Sequence, residues 1–327
     1  MSEAQTFNPP GPLNTAVLFL VFNRPDTTRQ VFEAIRQARP PRLYIAADGP
    51  RPNRPGEAER CAEVRRIATN VDWPYEVKTL FRDENLGCKR AVSGGITWFF
   101  ENEEQGIILE DDCLPHPDFF PFCEELLQRY ADDERVWTIT GCNFQDGQKR
   151  GEASYYFSKY NHVWGWASWR RAWKHYQGDI PFWPTWRLSK EWMSWTPDKV
   201  ERRYWDKVFD VVARDGIDTW DYPWTACVWY HRGLTATPNV NLISNIGFGV
   251  DATHTFASDD KNANRPTSGL GVITHPPEVR QDTEADRYVF DHVFGGRDRR
   301  FPRVLYTLPR RAVGKLYRMV KARVIHA

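Results

Sequence analysis

The sequence predicts an α/β protein, a mixed sheet flanked by helices with a basic helical extension at its C-terminal end. Three observations predict it. Short apolar runs alternate with amphipathic segments as far as residue 110, the pattern of strands and crossover helices in a doubly wound sheet. One run, Gly106-Ile107-Ile108-Leu109, stops in Glu110-Asp111-Asp112, so three carboxylates stand at the carboxyl end of a buried strand, where ligands gather in open α/β sheets. Cations then crowd residues 297–323, where ten Lys and Arg face Asp298 alone.

Taken in order, residues 1–12 are polar and Pro-rich and read as disordered. Residues 16–22 form a buried strand; Pro25 and Asp26 open a helix whose apolar face is Val31, Ile35 and Ala38. A second strand over 43–47 ends in Asp48-Gly49-Pro50, and a helix over 57–69 follows. Residues 75–81 alternate as a strand, and a helix over 88–103 leads back to the acid-ended strand. Residues 119–130 read as a helix and 136–140 as a strand. Beyond Gly141 the chain turns aromatic-rich and irregular, with a helix over 197–214 and a short segment over 220–229. Residues 241–255, with Gly247 and Gly249 and no apolar period, read as a mobile loop.

A chain of 327 residues, 41% hydrophobic and 27% charged, can bury a large core. With 44 basic and 43 acidic side chains the net charge is +1, which excludes nucleic acid as a partner of the whole molecule. Six scattered cysteines without a CxxC pair indicate reduced thiols and a cytoplasmic location. There is no signal peptide and no apolar run of about 18 residues, so no span of a membrane is expected. Fifteen tryptophans supply indoles that are expected to stack, in part, on sugar rings.

The acids carry the chemistry. Three carboxylates at one strand end repel one another unless a cation sits among them, and such hard ligands suit Mg²⁺ or Mn²⁺ held together with substrate phosphates. Asp48, ending the second strand, is placed to accept a hydrogen bond from a nucleobase N–H. Asn85, Lys89 and Arg90 stand at a strand-to-helix junction suited to phosphate contacts.

These pieces together resemble the GT-A (Rossmann-like) glycosyltransferases that use nucleotide sugars, in particular the N-acetylglucosaminyltransferase I family and its bacterial relatives. The resemblance covers roughly residues 15–260. It rests on the strand and turn from Val17 to Pro25, on Asp48, on Leu109-Glu110-Asp111-Asp112 followed by Pro117-Asp118-Phe119-Phe120, on Trp164-Gly165-Trp166, and on Trp220-Asp221. It implies a glycosyltransferase domain over 13–265, with a nucleotide-binding half (13–141) and an acceptor half (142–265), then an extension over 266–327. It further implies that Asp112 binds the metal directly, that Glu110 and Asp111 hold the ribose and support the metal, and that Asp48 touches the base. Asp221 becomes the base that deprotonates the acceptor hydroxyl in an inverting transfer. The family often shows Trp-Asp-x-Trp where this chain reads Trp220-Asp221-Tyr222-Pro223-Trp224, so Asp218 stays a second candidate. The segment with Gly247, Gly249 and His254 corresponds to one that closes over the diphosphate, and Trp164 and Trp166 are expected to face the acceptor.

The expected partners are a nucleotide-diphosphate sugar, a UDP-sugar above all, and a glycan or lipid-linked acceptor. The basic C-terminal segment, with Leu308, Leu316 and Val320 at helical spacing, can lie on an anionic bilayer and hold the protein at the inner face of the membrane. Two other readings compete: a nucleotidyltransferase, and a non-catalytic carbohydrate-binding protein. The former usually carries a Gly-rich phosphate loop after the first strand, where this chain has Asn23-Arg24-Pro25; the latter leaves the acids unused.

Overall fold

The computed structural model describes residues 13–248 and 262–305. Its first part follows the predicted alternation: β1 (Val17–Val21), α1 (Pro25–Ala38), β2 (Arg42–Ala47), α2 (Glu57–Ala68), β3 (Glu76–Phe81), α3 (Gly87–Asn102) and β4 (Gln105–Glu110). β1 pairs in parallel with β2 and β4, and β2 with β3. α1 forms where Pro25 fixes the first turn, and its buried Val31, Phe32 and Ile35 recur at the spacing of one helical face.

After β4 come β5 (Cys113–Pro115), α4 (Phe119–Arg129), β6 (Val136–Thr140), β7 (Tyr155–Ser158) and β8 (Trp166–Trp169). Three short helices follow, α5 (Arg170–Trp173), α6 (Trp183–Trp186) and α7 (Lys190–Trp195), then α8 (Lys199–Val212) and α9 (Asp221–Tyr230). β9 (Leu234–Pro238), β10 (Ile243–Asn245) and α10 (Thr283–His292) complete the described elements, with a 3-10 turn at Arg297–Arg299. Eight strands make one mixed sheet in the order β3-β2-β1-β4-β8-β6-β9-β7, and β5 and β10 form a separate antiparallel pair.

Three expectations are corrected. The stretch beyond Gly141 is not irregular: β8 enters the middle of the sheet, antiparallel to both β4 and β6. Its Trp-Ala-Ser-Trp composition hides it, because two indoles bracket two small residues there in place of a branched apolar run. The tryptophans are core residues; all but Trp98 and Trp164 are buried. Residues 243–245 of the expected loop are strand β10.

The described part of the C-terminal segment is not a separate extension. α10, capped by Asp282 on the amides of Glu284 and Ala285, buries Val289 and Phe290, and its Asp286 accepts from Ser158 Oγ of β7 at 2.6 Å. Arg300 pairs with Asp291 (2.8 Å) and with Asp198, and Arg299 lies over the Tyr204 ring at 4.7 Å, so two of the ten cations serve the protein body. The remainder of the expected basic helix, from residue 306 on, lies outside the described residues. All six cysteines are free. Among the described residues no helix is long and apolar enough to cross a membrane.

Candidate functional site

β1 and β4 run side by side with Leu20 level with Glu110, so the turn after β1 and the acids after β4 emerge at one edge of the sheet. Arg24 spans that gap. Its Nη2 donates to Asp111 Oδ1 at 2.6 Å and its Nη1 to Asp112 Oδ2 at 2.8 Å. Asp111 Oδ2 accepts the Phe22 amide at 3.1 Å. With Asp111 and Asp112 only 2% and 8% exposed, their charges require a paired cation, and the chain supplies its own. Glu110 is half-buried and makes no hydrogen bond or ion pair among the described residues. Burial, then the charges of Asp112 and Asp111, push its carboxyl above the ordinary value.

The β5–β10 pair closes over this group. The Ile246 amide donates to the Asp112 carbonyl at 2.8 Å. A side-chain carbon at Gly247 would fall 2.2 Å from Asp112 Oδ2 and 2.5 Å from Arg24 Nη1, so only glycine lets the backbone lie on the ion pair. Gly249 and His254 lie outside the described residues.

Asp221, the first residue of α9, follows Trp220, whose ring stacks on Trp166 with centroids 5.7 Å apart, and Trp166 pairs with Ile108 of β4; its charge is the last of those that raise the Glu110 carboxyl. Its Oδ1 accepts from Thr219 Oγ1 and, at 2.9 Å, from the Tyr222 amide; Oδ2 has no partner among the described residues. Asp218 is used differently. Its Oδ2 accepts the Cys88 amide at 3.0 Å and its Oδ1 the Lys89 amide at 2.9 Å, satisfying the N-terminal donors of α3. Gly87, at φ +79°, permits this approach; a Cβ there would fall 2.7 Å from Asp218 Oδ2.

Of the residues expected to meet phosphates and base, Lys89, Asp48 and Asn85 have protein partners in this arrangement. Lys89 pairs with Asp215 at 2.6 Å and Asp179 at 3.3 Å, and Arg90 is exposed. Asp48 accepts from the amides of Gly49 and Leu86 at 3.0 Å each and from Asn85 Nδ2 at 2.9 Å, so the pair Asp48–Asn85 shapes the turn into α3. Trp166 cannot face an acceptor: it is 1% exposed within β8 and stacks on Trp220 with centroids 5.7 Å apart. Trp164 is half-buried, its ring edge-on to Phe248 at 5.8 Å, and stays a candidate.

Beside Trp164 lies His162, whose ring packs on Phe144 at 4.4 Å and whose Nε2 is buried without a partner among the described residues. Burial, then the Arg265 cation, push its pKa down to about 3. The unfolded chain thus binds a proton at His162 below about 6.5 that the folded chain refuses, so this contribution to stability is whole above that pH and is lost as pH falls toward 3. His162→Gln is expected to lose about 3 kcal/mol less stability than the wild type between pH 7 and pH 4, measured by urea unfolding at each pH.

The donor chemistry for a metal can be tested on this geometry. Both Asp111 oxygens are taken by the protein, and among the described residues no three His, Cys, Asp or Glu side chains converge on a common point. A resident metal cage does not fit. Asp112 Oδ1, which among the described residues meets only the Cys113 thiol at 3.4 Å, is the oxygen that would be left for a cation arriving on substrate phosphates.

No protein-family model matches the chain, and no curated protein matches it. Two of the solved structures that match are a UDP-glucose pyrophosphorylase complexed with UDP-glucose and the glycosyltransferase GlyE of Streptococcus pneumoniae TIGR4. The first is 11% identical, with a TM-score of 0.26, over 50% of this chain and 71% of that one. The second is 9% identical, with a TM-score of 0.31, over 69% of this chain and 45% of that one, so the chain spans under half the length of GlyE. At those scores neither likeness bears on what this chain does.

The residue that sequence reasoning passed over is Arg24, seen only as an obstacle to a phosphate loop. Its signal was available: an arginine three residues past a first parallel strand falls beside the acids of the neighbouring strand once β1 and β4 pair.

Proposed function

We propose that this protein transfers a sugar from a nucleotide-diphosphate donor, a UDP-sugar above all, to a hydroxyl of a glycan or lipid-linked acceptor, with inversion at the anomeric carbon. The observation that supports the reading is that Asp221, a carboxylate with one oxygen unpartnered among the described residues, follows Trp220, which stacks on the Trp166 that pairs with the acid-ended β4. In the proposed reaction the acceptor oxygen attacks the anomeric carbon as its bond to the diphosphate breaks, and the acceptor proton passes to Asp221 Oδ2. Glu110 is assigned to the ribose, and Asp111, whose two oxygens are held by the Phe22 amide and Arg24, to support of Asp112. The nucleotide's phosphates would compete with Asp218 for the α3 amides and with Asp179 and Asp215 for Lys89, so donor binding is expected to displace the turn carrying Asp215 and Asp218.

Asp112 would hold a Mn²⁺ or Mg²⁺ ion arriving with the donor, which when bound supplies Lewis-acid neutralisation of the leaving diphosphate. Trp164 is assigned to the acceptor, and the basic C-terminal residues to an anionic membrane surface on the cytoplasmic side. Calorimetry with UDP, with and without Mn²⁺, tests the site: the wild type is expected to gain affinity from the metal and Asp112→Ala to lose that gain while still folded. Equal affinity in both proteins with Mn²⁺ would remove Asp112 from the role.

A further inference from the structure

A cavity of about 480 Å³ opens beside the β7 edge of the sheet, between β7, the start of α8, and α10. β7 stands four strands from β4 in the sheet order, about 19 Å away at ordinary strand spacing, so this is not the acid-ended site. Its floor is charged and buried. Lys159 Nζ pairs with Glu201 Oε1 at 2.9 Å, the two side chains being 3% and 8% exposed. Asp286, 3% exposed, holds Ser158 Oγ at 2.6 Å and Gln281 Nε2 at 2.6 Å.

A purely structural ion cluster is packed without a void, since interiors are close-packed and a buried ion pair is seldom better for stability than apolar residues of the same volume. Here the cluster lines a space of ligand size, and it keeps unused bonding capacity. Glu201 Oε2 has no partner among the described residues, Oε1 already accepting from Tyr160 and Lys159. The Lys159 ammonium, with three donors, bonds Glu201 and, at 3.4 Å, the Trp195 carbonyl. Two rings, Trp195 and Phe290, line the same cavity.

The lining also says what does not bind. Three cationic and four acidic side chains face the space, so no excess positive charge attracts a phosphate or another anion. Rings beside a fixed acceptor and a fixed donor match a molecule with apolar C–H faces and a rim of hydroxyls. We propose that this cavity binds a neutral saccharide unit, at a site separate from the transfer chemistry. The proposal stands whether or not the β4 site transfers a sugar.

The test uses the full chain and saturation-transfer NMR with three neutral probes: gluco-, galacto- and manno-trisaccharides. Two variants separate binding from folding. Glu201→Gln removes the buried acceptor charge; Thr283→Trp, at an exposed lining position, adds bulk at the mouth and leaves the buried set untouched. The wild type is expected to bind at least one trisaccharide, and each variant to weaken it about tenfold or more, with the unfolding midpoint of Thr283→Trp and its affinity for UDP unchanged. Absence of wild-type binding to all three probes overturns the proposal. So does binding that Thr283→Trp leaves intact, whatever Glu201→Gln does, since that is the behaviour of an ion pair with only a structural role.

Discussion

Asp221→Asn is expected to lower turnover by about 10²-fold or more while nucleotide binding stays intact, because it removes the proposed general base and little else. Asparagine keeps a carbonyl oxygen for the bonds that Asp221 Oδ1 accepts from Thr219 and Tyr222, and it replaces only the unpartnered oxygen with a group that cannot take a proton. The structural cost is confined to a lost charge in the first turn of α9, about 0.3–1 kcal/mol. A large fall in rate with a small fall in stability is therefore the signature sought, in single-turnover kinetics beside urea unfolding. Near-normal turnover would take the role from Asp221. Asp218 would inherit it only by leaving the α3 amides, so Asp218→Asn is the paired control.

Arg24→Met is expected to cost about 3 kcal/mol of stability at neutral pH, because breaking a buried ion pair strands its partner charges. Asp111 and Asp112 would then stand uncompensated beside Glu110. The value is set at the low end of the range for buried pairs, since the Arg24 side chain keeps 19% exposure. A second readout distinguishes charge from packing. If Arg24 stands where a cation is needed, Mn²⁺ added without nucleotide should raise the melting temperature of Arg24→Met more than that of the wild type. A variant as stable as the wild type, and indifferent to Mn²⁺, would mean that solvent already screens the acids.

The first half of the fold was legible because its signals are local. Val17–Val21 and Ile107–Leu109 are apolar runs bounded by polar turns, and Pro25 marks the start of α1 within one residue. The second half was not, because β8 is written in indoles and small residues, and its place between β4 and β6 is set by pairing with strands some 30 and 60 residues away. The acid triplet was readable as a cluster of charges at the end of a buried strand, which needs a partner. Its counter-ion was not, because Arg24 meets Asp111 and Asp112 only through the β1–β4 register. Asp218 and Asp221, three residues apart, are alike in sequence, and the structure shows them differently engaged: Asp218 holds two α3 amides with both oxygens, whereas Asp221 accepts through Oδ1 from Thr219 and the Tyr222 amide. Trp166 was misread because an aromatic next to glycine looks exposed in sequence, whereas Gly165, at φ +61°, packs against Ile243 and Leu109 in the interior.

The central claim is that the β4 site breaks the bond between a sugar and a nucleoside diphosphate. Phosphorus NMR on the purified full chain tests it most directly, with UDP-sugars, Mn²⁺ and a mixture of saccharide acceptors in one tube, and nucleoside triphosphates with sugar 1-phosphates in another. The expected result is free nucleoside diphosphate in the first tube, abolished by Asp221→Asn, and no change in the second. Pyrophosphate appearing in the second tube, with the first unchanged, would contradict the claim and make the protein a nucleotidyltransferase.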